Sequence, residues 1–211
     1  MADTSYHHGN LRESLIELGI THLHEKGAEN ISLRALAREI GVSQTAPYRH
    51  FEDKNKLLAA IAIYGFELLA NDVNESLQDV NDPVSMLRAM GHTYVRFAIN
   101  NVEIFKLMFG PILGNRKAYP DLLTAGQRRF ELVELGLSSG IKSGQFADTD
   151  IPLTANSIWA SLHGLAILMQ DRYDRFPGLS TEQQIDTSLD ILIAGLKNNP
   201  VGKNSRTVTA I

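Results

Sequence analysis

The stretch Ile31–Leu58, ISLRALAREIGVSQTAPYRHFEDKNKLL, constrains the fold more than any other. Ser32 is an N-cap residue type, and Ile31 before it with Leu36 after it has the spacing of a hydrophobic staple. Leu33, Leu36, Ala37 and Ile40 then recur on one helical face. Gly41 stands where that helix has to stop, and glycine takes the left-handed turn needed there without steric cost. Val42 turns inward, and Ser43 caps a second helix whose first exposed residues are Gln44, Thr45 and Ala46. The small Ala37 and the glycine four residues on let the two helices pack closely at a steep angle. This is the helix-turn-helix layout, in which the second helix offers its N-terminal side chains to the major groove of DNA. So short a pair cannot bury a core alone and needs helices on either side. An αα-corner within some other all-helical protein is the plainer alternative from these two helices.

The residues that follow narrow the choice. Tyr48-Arg49-His50-Phe51 closes the second helix, and Asp53 can cap a third that opens with Lys54 and Lys56. The run GVSQTAPYRHFEDKNKLL resembles the recognition helix, aromatic-histidine-phenylalanine signature and following lysine of the TetR family of bacterial regulators. The opening YHHGNLRESL and the later Trp159-Ala160-Ser161-Leu162-His163-Gly164 resemble one subgroup, whose C-terminal part carries a tryptophan-histidine-glycine pattern. The resemblance is dense over roughly the first sixty residues and beyond them rests on helix layout and that short pattern. Pro47 departs from it, standing where many members have leucine. At the end of a first turn proline begins to cost a helical hydrogen bond, so the recognition helix is expected to start tight or 3₁₀-like.

The resemblance implies an all-α protein. A helix-turn-helix DNA-binding domain would occupy residues 1–53, a helical ligand-binding and dimerisation domain residues 54–200, and a polar tail residues 201–211. It also implies a homodimer on a palindromic double-stranded operator and a small apolar effector of unknown identity, with no enzyme activity and no cofactor.

The rest of the chain reads as helices. Tyr6, His7, His8 and Gly9 belong to a polar lead-in or a DNA-reaching arm. Asn10 can cap the first helix, with Leu11, Leu15, Leu18 and Leu23 inward as far as Gly27. His22 and His24 face different directions and are expected at the surface. A long helix runs from Asp53 toward Asp79. Asp82 as N-cap with Pro83 at the first helical position then starts another. Residues 101–109 form a short apolar helix, and Gly110–Pro120 is a loop. Asp121–Ile141 reads as one helix. Ile151 to Tyr173 is apolar on more than one side, which requires cover on most sides. Pro177-Gly178 breaks it, and Thr181 caps the last helix, with Ile185, Leu189, Leu192, Ile193 and Leu196 inward. The pattern gives about nine helices and no strand. The final two form the natural dimer surface as half of a four-helix bundle, with burial inside one chain as the alternative.

Charge does not advertise nucleic-acid binding. The whole chain carries a net charge of −4, and residues 1–60 hold seven lysines and arginines against eight carboxylates, a net of −1. Placement matters more, because Arg34, Arg49, Lys54 and Lys56 lie at helix ends near the expected groove. Few cations per subunit means modest affinity for the backbone, so two subunits have to act together. The absence of cysteine excludes disulfides and thiolate metal sites. No apolar leader is evident, and no stretch approaches the roughly eighteen apolar residues of a membrane span, which makes a cytoplasmic protein the expectation.

Direct base reading falls to Gln44, Thr45 and Ala46: glutamine pairs with adenine, and threonine or alanine meets a thymine methyl. Ser32, Arg34, Ser43, Tyr48, Arg49, His50 and Lys54 are assigned to the phosphate backbone, Tyr48 on the resemblance. Met90, Tyr94, Phe97, Phe105, Met108, Phe109, Trp159 and His163 are the candidate ligand walls. A stripe of methionine and aromatics is as readily ordinary core, and it is the resemblance that favours a cavity. Trp159 and His163, four apart, could supply a stacking wall and a polar handle. Gly136-Leu137-Ser138-Ser139-Gly140 matches G-x-S-x-G, with Asp148 or Asp150 and His163 following in hydrolase order. A nucleophile elbow needs a strand before the serine, and RRFELVELGL has helical spacing instead, so a serine hydrolase is rejected. The reading is a homodimeric repressor released from its operator by a small apolar ligand. The alternative is a helix-turn-helix protein controlled by a protein partner in chromosome organisation.

Overall fold

The computed structural model describes residues 10–128, 130–170 and 178–198. Within them lie nine α-helices, four short 3₁₀ turns and no strand: α1 Leu11–Lys26, α2 Leu33–Ile40, α3 Lys54–Ser76, α4 Pro83–Asn100, α5 Val102–Phe109, α6 Pro120–Arg128, α7 Glu131–Lys142, α8 Ile151–Gln170 and α9 Thr181–Asn198. Tyr6 to Gly9, Tyr173, Pro177 and the polar tail fall outside the described residues.

The described residues divide into two compact units. One comprises the chain up to Glu67 with Asn101–Gly126, and the other Leu68–Asn100 with the chain from Gln127 onward. In the first, α1 packs on α2 and α5. Its core holds Leu15, Leu23, Leu36, Leu57, Leu58, Ile61, Phe105 and Leu107, all buried. α5 lies close on α3 because Gly65 has no side chain. A Cβ there would stand 2.5 Å from Ile104 Cγ2 and 2.7 Å from Met108 Sδ. In the second unit α4 is the hub, packing on α7, α8 and α9.

Two arginine–carboxylate ion pairs and a histidine–carboxylate contact line the α4–α9 seam. Arg88 pairs with Asp190, His92 with Asp186 at 2.7 Å, and Arg96 with Glu182 at 3.1 Å. Both partners step by four residues in opposite directions, which is the pattern two antiparallel helices impose.

Local signals explain most boundaries. Asp53 Oδ1 accepts from the Lys56 amide at 2.8 Å, and Asp82 Oδ2 accepts from the Ser85 amide at 2.9 Å, so both predicted acidic caps form. Pro83 opens α4 as expected. Other boundaries differ. The last helix is capped by Ser180, one residue earlier than predicted: Ser180 Oγ accepts from the Gln183 amide at 3.1 Å. The Ser180 amide in turn donates to Gln183 Oε1 at 2.8 Å, a reciprocal capping box. The single helix expected over Asp121–Ile141 is two, because α6 ends at Arg128 and α7 starts at Glu131. The loop Gly110–Pro120 contains 3₁₀ turns at Pro111–Leu113 and Arg116–Ala118.

His22 corrects the expectation of a surface residue. It is 4% exposed, and its Nε2 lies 2.9 Å from Glu39 Oε2 and 3.5 Å from Lys26 Nζ, tying α1 to α2. Periodicity placed it beside an inward stripe, but only packing shows that α2 arrives on that side. The expectation that no stretch matches a membrane span also needs revision. α3 and α8 are long and apolar enough to cross a membrane by length and composition, though half of the α3 segment is buried inside the protein.

Candidate nucleic-acid interface and ligand site

α2 ends as its sequence dictates. Gly41 has φ +85°, the Val42 amide reaches the Ala37 carbonyl at 2.9 Å and the Gly41 amide reaches Arg38 at 3.3 Å, a Schellman stop. The chain then enters the predicted recognition element. It is not a full helix but a 3₁₀ turn over Ala46–Arg49, with Thr45 at its cap. The tightness expected from Pro47 therefore extends over the whole element. Pro47 is buried, and its carbonyl accepts from both His50 and Phe51 at 2.9 Å. Ser43 makes no helix cap. Its hydroxyl lies 3.2 Å from that of Thr45.

Below the turn, Pro47 and Phe51 are anchored in the core. Above it, Ser43, Gln44, Thr45, Tyr48, Arg49 and His50 are exposed, and Ala46 is half-buried. Phe51 has the Arg12 guanidinium 5.5 Å above its ring. Ser32 and Arg34 are exposed at the start of α2, where Ser32 forms no side-chain bond to its own helix. Lys54 donates one hydrogen bond to the Glu29 carbonyl at 2.8 Å, leaving an ammonium with further donors. Lys56, expected among the cations near the groove, instead turns toward Tyr119 and lies 3.4 Å from the Ala118 carbonyl.

The eight candidate ligand residues separate by unit. Phe105, Met108 and Phe109 belong to the first. There Phe109 meets Phe66 edge-on at 5.3 Å and Phe105 at 4.7 Å, and Met108 lies over Gly65. Met90, Tyr94, Phe97, Trp159 and His163 belong to the second. Met90, Tyr94 and Phe97 are buried on α4, Met90 facing Gly136 of α7. Trp159 and His163 are neighbours on α8 with ring centres 5.1 Å apart. The indole Nε1 donates to the Tyr94 hydroxyl at 3.0 Å, and that oxygen lies 2.8 Å from His163 Nδ1. Where the Tyr94 hydroxyl donates to Nδ1, the neutral imidazole carries its hydrogen on Nε2; in the other tautomer Nδ1–H donates to the Tyr94 oxygen. Phe130, which sequence reading did not select, closes the group edge-on to Trp159 at 6.0 Å. Phe130 sits at the N-cap of α7, so the expectation of one helix over Asp121–Ile141 gave no reason to single it out.

The G-x-S-x-G match has no elbow. Residues 136–140 lie inside α7, where Gly140 allows Phe146 to close against the helix.

Two family models match this chain. One, for the N-terminal part of bacterial regulatory proteins of the tetR family, covers residues 15–61, and the other, for the tetracyclin repressor-like C-terminal domain, covers residues 87–196. The chain belongs to the TetR family. Among its relatives is the HTH-type transcriptional regulator Rv1816 of Mycobacterium tuberculosis, 26% identical over 141 residues. That match covers 62% of this chain and 58% of the relative. The nucleoid occlusion factor SlmA of Vibrio campbellii is 29% identical over 105 residues, covering 49% of this chain and 54% of SlmA. The chain thus matches little more than half the length of either relative. A solved protein of unknown function from Rhodococcus sp. RHA1 superposes with a TM-score of 0.82 at 28% identity, covering 92% of this chain and all of that one.

Proposed function

We propose that this protein is a homodimeric DNA-binding transcriptional repressor of the Trp-His-Gly subgroup, acting in the cytoplasm and released from its operator by a small apolar ligand. The observation that carries the reading is the head's two-sidedness: Pro47 and Phe51 are locked inside while Ser43, Gln44, Thr45, Tyr48, Arg49 and His50 all stand out. Gln44 and Thr45 with Ala46 read bases. Ser32, Arg34, Ser43, Tyr48, Arg49, His50 and Lys54 hold phosphates. The uncapped hydroxyl of Ser32 and the remaining donors of Lys54 are available for that role.

The dimer forms through α8 and α9. Only 28% of the apolar α8 segment is buried within one chain, and Leu153, Leu168 and Ile191 are more than half exposed. A second copy is the natural cover.

The ligand is held by the second unit around Trp159, with the Trp159–Tyr94–His163 chain as its polar handle. Ligand binding repacks α4 against α8 and so favours one of two head spacings over the other, which is the differential affinity release requires. Similarity to SlmA, a nucleoid occlusion factor, favours a second reading, a helix-turn-helix protein of chromosome organisation whose head would answer to a protein partner rather than a small ligand.

Selection from a random-sequence DNA pool, with the bound fraction sequenced at two salt concentrations, tests the function. An enriched palindrome is expected, its half-site spacing fixing the separation of the two heads. Binding without enrichment, abolished by salt, would reject sequence reading and move the partner-protein reading forward.

A further inference from the structure

A groove outside the Trp159 group lies in the first unit. It is open, holds about 250 Å³ and runs between α1, the start of α3 and the turn leading into α6. Its floor is apolar, formed by Ala59, Ala60, Ile63 and Leu122. Two cations stand over it on aromatic faces, Arg12 at 5.5 Å from the Phe51 ring centre and Lys56 at 5.1 Å from that of Tyr119. Neither is ion-paired among the described residues, although Asp121 also lines the groove. His50 completes the rim.

We infer that this groove binds a small amphipathic organic anion, an aryl or acyl carboxylate, with its apolar body on the alanine-isoleucine floor and its charge between Arg12 and Lys56. The charge balance favours this chemistry. Two cations without an ion-pair partner against one carboxylate leave a net positive rim, and each is held over the groove by its ring contact, ready to meet an incoming anion. The apolar floor discriminates against a fully hydrated ion, since only a ligand with a hydrophobic body gains from covering it. This site is independent of the Trp159 group, which belongs to the other unit. Because His50 belongs to both the rim and the phosphate-binding set, an occupied groove competes with operator binding from within the head itself.

Calorimetric titration of the full chain with 1-naphthoate and with uncharged 1-naphthamide tests the inference. Naphthoate is expected to bind at least about tenfold more tightly than the amide, the difference two charge-assisted contacts can supply. The double variant Arg12→Gln/Lys56→Gln, altered at exposed positions, should lose that preference while melting at the wild-type temperature. Should the double variant melt early, Lys56→Gln alone should still cut the preference severalfold. The preference should survive in Trp159→Phe. Equal binding of acid and amide to the wild type, or a preference that persists without the two cations, would overturn the proposal. So would its disappearance in Trp159→Phe, which would put the probe in the other unit. Displacement by equimolar inorganic phosphate would also overturn it, as it would reduce the groove to a phosphate cradle of the kind DNA backbone fills.

Discussion

Gly140 shows how much one missing side chain can control. A Cβ at that position would stand 2.0 Å from Phe146 Cδ2 and 2.2 Å from Cε2, and Phe146 is buried. The ring cannot simply rotate away from a filled interior, so Gly140→Ala is expected to destabilise the protein by about 1–3 kcal/mol, the usual cost of overpacking. Urea denaturation measures it, and an unchanged midpoint would show that the ring has room to move. Asp82 is a different residue-scale case. Hydrogen bonds from the Ser85 backbone amide, and then from the Ser85 hydroxyl, hold its carboxyl below the ordinary value of 3.8. A depressed folded-state value means that the capping contribution is fully present above 3.8 and is lost as pH falls through the folded value. Asp82→Ala should therefore melt below the wild type at neutral pH, with the gap narrowing in acid. A gap independent of pH would argue that the cap works without its charge.

The recognition turn is the element where local and tertiary forces meet. Proline fixes φ and supplies no amide hydrogen, so Ala46–Arg49 tightens to 3₁₀ geometry, while Pro47 and Phe51 pin it from below. That leaves Gln44 exposed on a short rigid support. Gln44→Ala is expected to cost about 1–3 kcal/mol on the selected operator and little on random DNA. Equal losses on both, read by gel shift at matched salt, would move Gln44 from base reading to backbone contact. The element also shows what spacing conveys. The Schellman stop at Gly41 and the acidic caps at Asp53 and Asp82 are local chemistry, and sequence predicts them. The Ser180 cap was missed by one residue because serine and threonine adjoin and both can cap. The fresh start at Phe130 is not signalled locally, because no glycine or proline marks it.

At the scale of the molecule, α8 poses the largest unanswered burial. Leu168 is 58% exposed and Ile191 on α9 is 69% exposed. If a second copy covers them, Leu168→Glu with Ile191→Glu should shift sedimentation from dimer to monomer and weaken operator binding. A dimer that survives would place the interface elsewhere. The Trp159 group makes a separate prediction. Trp159→Ala removes the donor to Tyr94 and the ring beside His163, so the ligand response should change while operator affinity without ligand stays near wild type. A wild-type response to a ligand identified from the regulated genes would exclude Trp159 from the site.

Sequence by itself determined most helical elements, the Gly41 stop, the acidic caps at Asp53 and Asp82 and the exposure of Gln44 and Thr45, because each depends on residues within a few positions of one another. It could also see that Trp159 and His163 share a face, since four residues make one helical turn. Only the tertiary structure decided that Tyr94, 65 positions from Trp159, joins them through its hydroxyl. The same holds for the separation of Phe105, Met108 and Phe109 into the other unit, the burial of His22 against Glu39, and the meeting of Arg12, Lys56 and Tyr119 around one groove. The physical reason is common to all four. Periodicity fixes which residues leave a helix in the same direction, but the neighbour they meet is set by how helices cross, which depends on volumes distant in the chain.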